Sequence, residues 1–418
     1  MSPGGRGGWR GPAAVSAVAV LVAVGLSVWL IARPSGHHRE SFAVTTANST
    51  SVTSSTTTTT TSPATTVPPP ATPLPARPAP SGEQFGASVN LLFNDQDSSS
   101  ATIGRQLAAL RSTGATLARS DALWEASEPV PPSATTRRFD WSFDDEIAGE
   151  LAAHGLSWLP ILDYSVSWAQ SIPGVDHSPP RSDADYAAYA QAFAARYGTG
   201  GSFWQTHRSL PALPVTTIEI WNEPDNPEFW RPTPSASGYA DLYIAARNAI
   251  DTVDPSARVI VGGLTDATQF LPAMLSARPD LRGHLDGVAI HPYGTPPVLR
   301  DRIVAARRTL DALGLGSTPL YVTEFGWTAA PPGAPDYASP ATRPRDISQA
   351  LATLSSLNCG IAAGLIYTWY SPESDPANSQ DWFGIDSLGG RPTADTVAFA
   401  AGLRAAAAPS SHTAACTP

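Results

Sequence analysis

Cysteine is almost missing from this chain: only Cys359 and Cys416 occur among 418 residues. Two thiols are too few for a disulfide-dense scaffold and match no zinc-ligand spacing. Export would allow one bridge between them, and the sequence leaves that pairing open. Positive charge is scarce as well. The 26 basic residues face 36 acidic ones, the net charge is −10 and the pI about 5.2. No basic footprint for nucleic acid exists. Several reaction motifs are also absent. There is no His-Glu-x-x-His, no Gly-x-Ser-x-Gly and no phosphate-cradling glycine loop, and no Gly-x-Gly-x-x-Gly follows the first strand-like run. Of the eight histidines, only His37 and His38 are close in sequence. Neither a metal nor a cofactor is expected in catalysis.

What the chain does contain divides it into parts. Residues 1–40 include Arg6, Arg10 and an apolar run from Ala13 to Ala32. Roughly 20 apolar residues suffice to cross a bilayer as a helix. Ile31-Ala32-Arg33-Pro34 offers no clear small-residue cleavage site. The expectation is a signal-anchor: a membrane span over residues 13–32 with the catalytic part outside. Secretion after signal cleavage is the alternative. Residues 41–82 are rich in Thr, Ser and Pro, with a threonine run from Thr56 to Thr61 and Pro68-Pro69-Pro70. Such a composition buries no core and reads as a disordered linker. The globular domain is placed at 83–408, followed by a tail at 409–418. A monomer is expected.

Within 83–408, strand-like and helix-like runs alternate, which implies a parallel sheet. Strands are expected at Phe85 to Asn90, Ala115 to Ser120, Trp158 to Asp163, Thr217 to Glu223, Arg258 to Gly263, Leu285 to His291, Leu320 to Glu324 and Gly364 to Trp369. Pro160 is awkward in the third. Helices are expected at Gly104 to Thr113, Asp144 to His154 and Ala184 to Tyr197. Eight such units favour a closed (β/α)8 TIM barrel over an open doubly wound sheet.

Two runs end on a glutamate. Thr217-Ile218-Glu219-Ile220-Trp221-Asn222-Glu223 stops at Pro224, and Pro319 to Glu324 is followed by Phe325-Gly326. In a β/α barrel the active site lies at the carboxyl ends of the strands. Arg119, Asp163, Asn222, Glu223, His291, Tyr293, Glu324 and Trp369 all fall there. A lone strand-end glutamate is usually a solvated or salt-bridged group. A pair across one mouth suits retaining glycoside hydrolysis, in which carboxylates about 5–5.5 Å apart act as acid and nucleophile. Arg119 is a candidate cation for keeping the nucleophile ionised. The 12 tryptophans and 11 tyrosines in an acidic, lysine-poor chain fit a sugar cleft, although core packing accounts for most of them. Trp124, Trp168, Trp230, Trp327 and Trp382 are candidates for further sugar subsites.

Asn222-Glu223-Pro224 after Ile220-Trp221, paired with Thr323-Glu324-Phe325-Gly326, resembles clan A of the glycoside hydrolases, nearest to families 39 and 5. The resemblance spans roughly Phe85 to Thr393. It implies Glu223 as acid/base and Glu324 as nucleophile. It further implies Asn222 on the sugar 2-hydroxyl, Arg119 supporting the nucleophile, His291-Pro292-Tyr293 at strand six, and Trp369 as a sugar platform. Family 5 members often carry a histidine near the end of strand three, where this chain has Leu162-Asp163-Tyr164-Ser165. The function so implied is a retaining β-glycosidase acting on an extracellular or cell-wall polysaccharide or oligosaccharide. Rival readings are a non-hydrolytic polysaccharide-binding protein and a wall-remodelling transglycosylase.

Overall fold

The computed structural model describes residues 83–94, 98–134, 136–387, 391–407 and 414–417. Eight parallel strands close on themselves in chain order. They are β1 (Gln84–Ser88), β2 (Leu117–Leu123), β3 (Ser157–Asp163), β4 (Thr217–Ile220), β5 (Arg258–Leu264), β6 (Val288–Ile290), β7 (Leu320–Phe325) and β8 (Ile361–Ile366). Each expected strand is present, with its ends shifted by a few residues.

The strands alternate in a way that builds two cores. Val259, Val261, Val288, Ile290, Leu320 and Val322 belong to the large cluster packed under the helices. The intervening Ile260, Ala289 and Tyr321 join Leu117, Leu159 and Leu365 in a small cluster inside the barrel. That is the period of two expected of a pleated strand whose faces both meet apolar neighbours. Pro160 is tolerated because β3 pairs with β4 only through Ile161 and Leu162, so the ladder on that side begins after the missing N–H.

Helix starts follow local chemistry. Ser182 accepts from the Asp185 N–H ahead of the helix Asp183–Tyr197, and Ser235 accepts from the Gly238 N–H ahead of Ala236–Asp251. Each hydroxyl satisfies an otherwise unpaired donor of the first turn. Both helices bury aromatic faces, with Tyr186, Tyr189 and Phe193 on one and Tyr239 and Tyr243 on the other. The tyrosine hydroxyls donate to strand carbonyls: Tyr189 to Ala122, Tyr239 to Ile220 and Tyr243 to Val259.

Two corrections follow. The Asn222-Glu223 strand end does not form: β4 stops at Ile220, and Trp221 and Glu223 take left-handed φ values of 64° and 45°. The expected transmembrane helix is also overturned, and with it the membrane partner and the single-pass placement. No helix among the described residues is long and apolar enough to cross a membrane, and residues 13–32 themselves lie outside the described residues, as does the 41–82 linker. The longest described helix, Pro296–Ala312, has 17 residues and is studded with Arg300, Asp301, Arg302, Arg307, Arg308 and Asp311. A bilayer core excludes such a face.

The cysteine question is resolved: Cys359 and Cys416 are bridged. The bridge and a backbone pairing of Leu357 with Ala414 hold the chain end beside the start of β8. Chain-entropy arguments give a cross-link across 57 residues a stabilisation of about 4 kcal/mol. Cys416→Ser is therefore expected to lower the thermal midpoint by several degrees in non-reducing buffer and to abolish its sensitivity to dithiothreitol, as read by circular dichroism.

Candidate active site

Arg119, on the inward face of β2, is 1% exposed. Its Nε and Nη2 donate to the Glu219 carboxylate at 2.8 and 3.1 Å, and Nη1 donates to Glu324 Oε1 at 2.6 Å. Nη2 also donates to Asn222 Oδ1 at 2.9 Å. Glu219 is fully buried and further accepts from the Gly263 N–H at 2.8 Å. A buried cation persists only when paired and hydrogen-bonded, and Glu219 is the partner that pairs with it.

Glu324 sits on β7 where the pairing with β8 shifts register between Val322 and Phe325. An irregularity of this kind re-aims side chains, and here two successive residues reach the barrel axis. The Thr323 hydroxyl lies 3.1 Å from His291 Nε2, while Glu324 Oε2 accepts from the Tyr293 hydroxyl at 2.7 Å. Glu223 is brought to the same place by the left-handed turn after β4. Its Oε1 is 2.7 Å from His291 Nδ1, and its Oε2 accepts from Asn226 Nδ2 at 2.7 Å. One ligand atom each of Glu223, His291 and Glu324 lie within 4.8 Å of one another, a spacing that could also hold a cation.

The electrostatics separate these groups. Burial pushes the Glu324 carboxyl up. The charges of His291 and Arg119 and the hydrogen bonds from Tyr293 and Arg119 outweigh it, so Glu324 is held below the usual carboxylate range. Burial pushes the His291 imidazole down, but the carboxylates of Glu324 and Glu223 prevail and raise it. Gly263 makes room for that ring, because a Cβ there would lie 1.9 Å from His291 Nε2.

The structure thus gathers Arg119, Asn222, Glu223, His291, Tyr293 and Glu324. It places Trp369 elsewhere: the indole is fully buried, donates to Gln106 Oε1 at 2.8 Å and packs towards Phe399. The aromatic ring of the β8 end that approaches Tyr293 is Tyr367, with centroids 6.5 Å apart. Trp124, Trp230 and Trp327 are core residues. Trp168 and Trp382 are half-buried, with indole N–H groups bonded to the carbonyls of Glu128 and Asp375.

No protein-family model matches the chain, and no curated protein matches it. Solved structures do. A β-xylosidase from Caulobacter crescentus superposes with a TM-score of 0.59 at 19% identity, covering 78% of this chain and 69% of that one. A family 39 glycoside hydrolase from Xanthomonas axonopodis pv. citri gives 0.58 at 18%, covering 78% and 67%. A family 53 catalytic domain from Ignisphaera aggregans gives 0.51 at 18%, covering 79% and 99%. The likeness is one of fold: a (β/α)8 barrel resembling those of several glycoside hydrolase families and singling out none, and the chain spans about two thirds of the length of the family 39 structures.

Sequence reasoning passed over Glu219, Asn226, Thr323 and Tyr367. Glu219 carried a usable signal: it is a charged residue between Ile218 and Ile220, so strand alternation sends it into the barrel, where a buried charge demands a partner. Removing that charge tests the assignment. Glu219→Gln is expected to cost about 3–5 kcal/mol of unfolding free energy in urea titrations, more than a surface carboxylate would.

Proposed function

We propose that this clan A barrel is a retaining β-glycoside hydrolase acting on a polysaccharide or oligosaccharide, with Glu223 as acid/base and Glu324 as nucleophile. The observation that carries this reading is the closeness of the two carboxylates, one oxygen of each lying within 4.8 Å of the other and of a His291 ring nitrogen. Retaining enzymes hold the pair about 5–5.5 Å apart, whereas inverting ones need roughly 6.5–9.5 Å to admit a water.

In the first step Glu324 attacks the anomeric carbon and a covalent glycosyl ester forms. The bond to the leaving oxygen breaks, and that oxygen takes the proton of Glu223. In the second step Glu223, now a carboxylate, removes a proton from water. The resulting hydroxide attacks the same carbon and releases Glu324. Asn222, oriented by Arg119, is assigned to the sugar 2-hydroxyl. Tyr293 and Arg119 keep Glu324 ionised, and His291 orients Glu223. Tyr367 takes the aromatic position first assigned to Trp369. The disulfide agrees with a glycan met in an oxidising compartment.

Glu324→Ala is expected to lower kcat at least about 10⁴-fold, with azide restoring turnover and giving a glycosyl azide of inverted configuration. Undiminished hydrolysis by that variant would rule the mechanism out. The pH profile offers a second check. Glu324 must be ionised to attack and its pKa is depressed, so activity is retained until the pH falls through that lowered value. Tyr293→Phe removes one stabilising hydrogen bond and should move the acid limb of kcat/KM to higher pH.

A further inference from the structure

Beside the Glu223–Glu324 pair, the β1–β3 side of the barrel mouth carries polar groups that the proposed mechanism does not use. Leu117 and Leu159 belong to the interior cluster. By alternation Arg119 and Asp121 on β2, and Ile161 and Asp163 on β3, continue that inward face towards the carboxyl ends. Asp163 is 1% exposed, and its Oδ1 is buried without a hydrogen-bond partner. Asn90, two residues past β1, is 6% exposed, and its Oδ1 is likewise unpartnered. Between them Asp121 accepts from Asn94 Nδ2 at 2.8 Å. The nearest cation, Arg119, directs its hydrogen bonds to Glu219, Glu324 and Asn222 instead.

Buried acceptors in folded proteins are nearly always paired. Two orphan acceptors and a second carboxylate on one wall therefore call for donors from outside the chain. We propose that Asn90, Asp121 and Asp163 are the specificity wall of the sugar pocket. They would accept hydrogen bonds from hydroxyl or ammonium groups on ring carbons remote from the anomeric centre, and would exclude sugars that carry a carboxylate there. The inference rests on the glycosidase reading and adds the substrate class: neutral or amino sugars, not uronic acids.

Two further facts support it. The wall has several acidic neighbours. Burial and the charge of Asp121 drive Asp163 well above the ordinary carboxylate range, with Glu219 and Asp176 adding to the push and Arg119 opposing it. Burial also raises Asp121, which feels the charge of Glu324. A substrate carboxylate would add to this repulsion, whereas a hydroxyl or ammonium donor relieves it. The orphan Oδ1 of Asn90 is an amide oxygen, an acceptor that an anionic group could not satisfy.

The test pairs p-nitrophenyl β-glucoside with the β-glucuronide, β-galactoside with the β-galacturonide, and adds the β-glucosaminide. Wild-type enzyme is expected to show kcat/KM at least 100-fold higher on the neutral or amino member of a pair than on its uronide. The amino and neutral arms separate an ammonium donor from a hydroxyl donor. Asp163→Asn keeps the shape and removes a carboxyl whose ionised form burial and its acidic neighbours oppose. It should hold or raise the thermal midpoint, while kcat/KM on the preferred sugar falls at least 10-fold and its margin over the uronide narrows at least 10-fold. A purely structural Asp163 would lower the midpoint and leave that margin unchanged, which overturns the proposal, as does equal or preferred turnover of a uronide.

If no glycoside turns over, calorimetric binding of the free sugars decides. Binding of a neutral or amino sugar over its uronate keeps the wall and refutes hydrolysis. Equal or preferred uronate binding, or no binding of any neutral or amino sugar, overturns the wall.

Discussion

One guanidinium holds the site together. Arg119 is sealed inside the barrel, tied on one edge to Glu219 and on the other to Glu324. Taking such a charge out of water costs several kcal/mol unless its donors are met. Glu219 compensates it and holds it in place, leaving a directed donor for Glu324. The result is a carboxylate that stays ionised despite burial. Asn222 accepts from the same guanidinium, so β2, β4 and β7 are locked to one another at the level where reacting groups would meet.

Around that lock the backbone departs from regular geometry where function requires it. Three residues past β4 the chain must deliver Glu223 inward, and it does so through left-handed φ values at Trp221 and Glu223. Such conformations cost of order 1–3 kcal/mol each and persist only when their surroundings hold them. Trp221 is fully buried, and its indole donates to the Phe229 carbonyl at 2.6 Å. Glu223 is clamped by Asn226 and His291. On β7, the register shift lets Thr323 and Glu324 both serve the centre. His291 then bridges the two halves, meeting Glu223 through one ring nitrogen and Thr323 through the other.

The mouth is not electrically uniform. Around Arg119 and His291, each carboxylate oxygen of Glu219, Glu223 and Glu324 has a hydrogen-bond partner. On the β1–β3 side Asp163 and Asn90 do not. The first arrangement is the frame for the proposed chemistry at an anomeric carbon. The second is built by residues at the ends of β2 and β3 and just past β1, and it is where the proposed selectivity among sugars would reside.

Alternation of apolar strands and amphipathic helices was enough to read the closed barrel. Glu223 and Glu324, with Arg119, Asn222, His291 and Tyr293, were legible as one group because polar residues at the ends of apolar runs stand out, although Glu223 sits in a turn past β4 and not on the strand. Trp369 and Tyr367 show where that reading stops. They lie two residues apart at the end of β8, and sequence order cannot say which ring points into the mouth and which is buried behind it. Glu219 could have been inferred from its inward phase, but its pairing with a residue 100 positions away could not. The disulfide was equally undecided until both ends were placed. Local periodicity and residue chemistry determine which elements form and which residue types reach the barrel rim. The strand tilt, the left-handed turn at Trp221–Glu223 and the shift in β7 decide which atoms meet, because distances between strands arise only when the sheet closes.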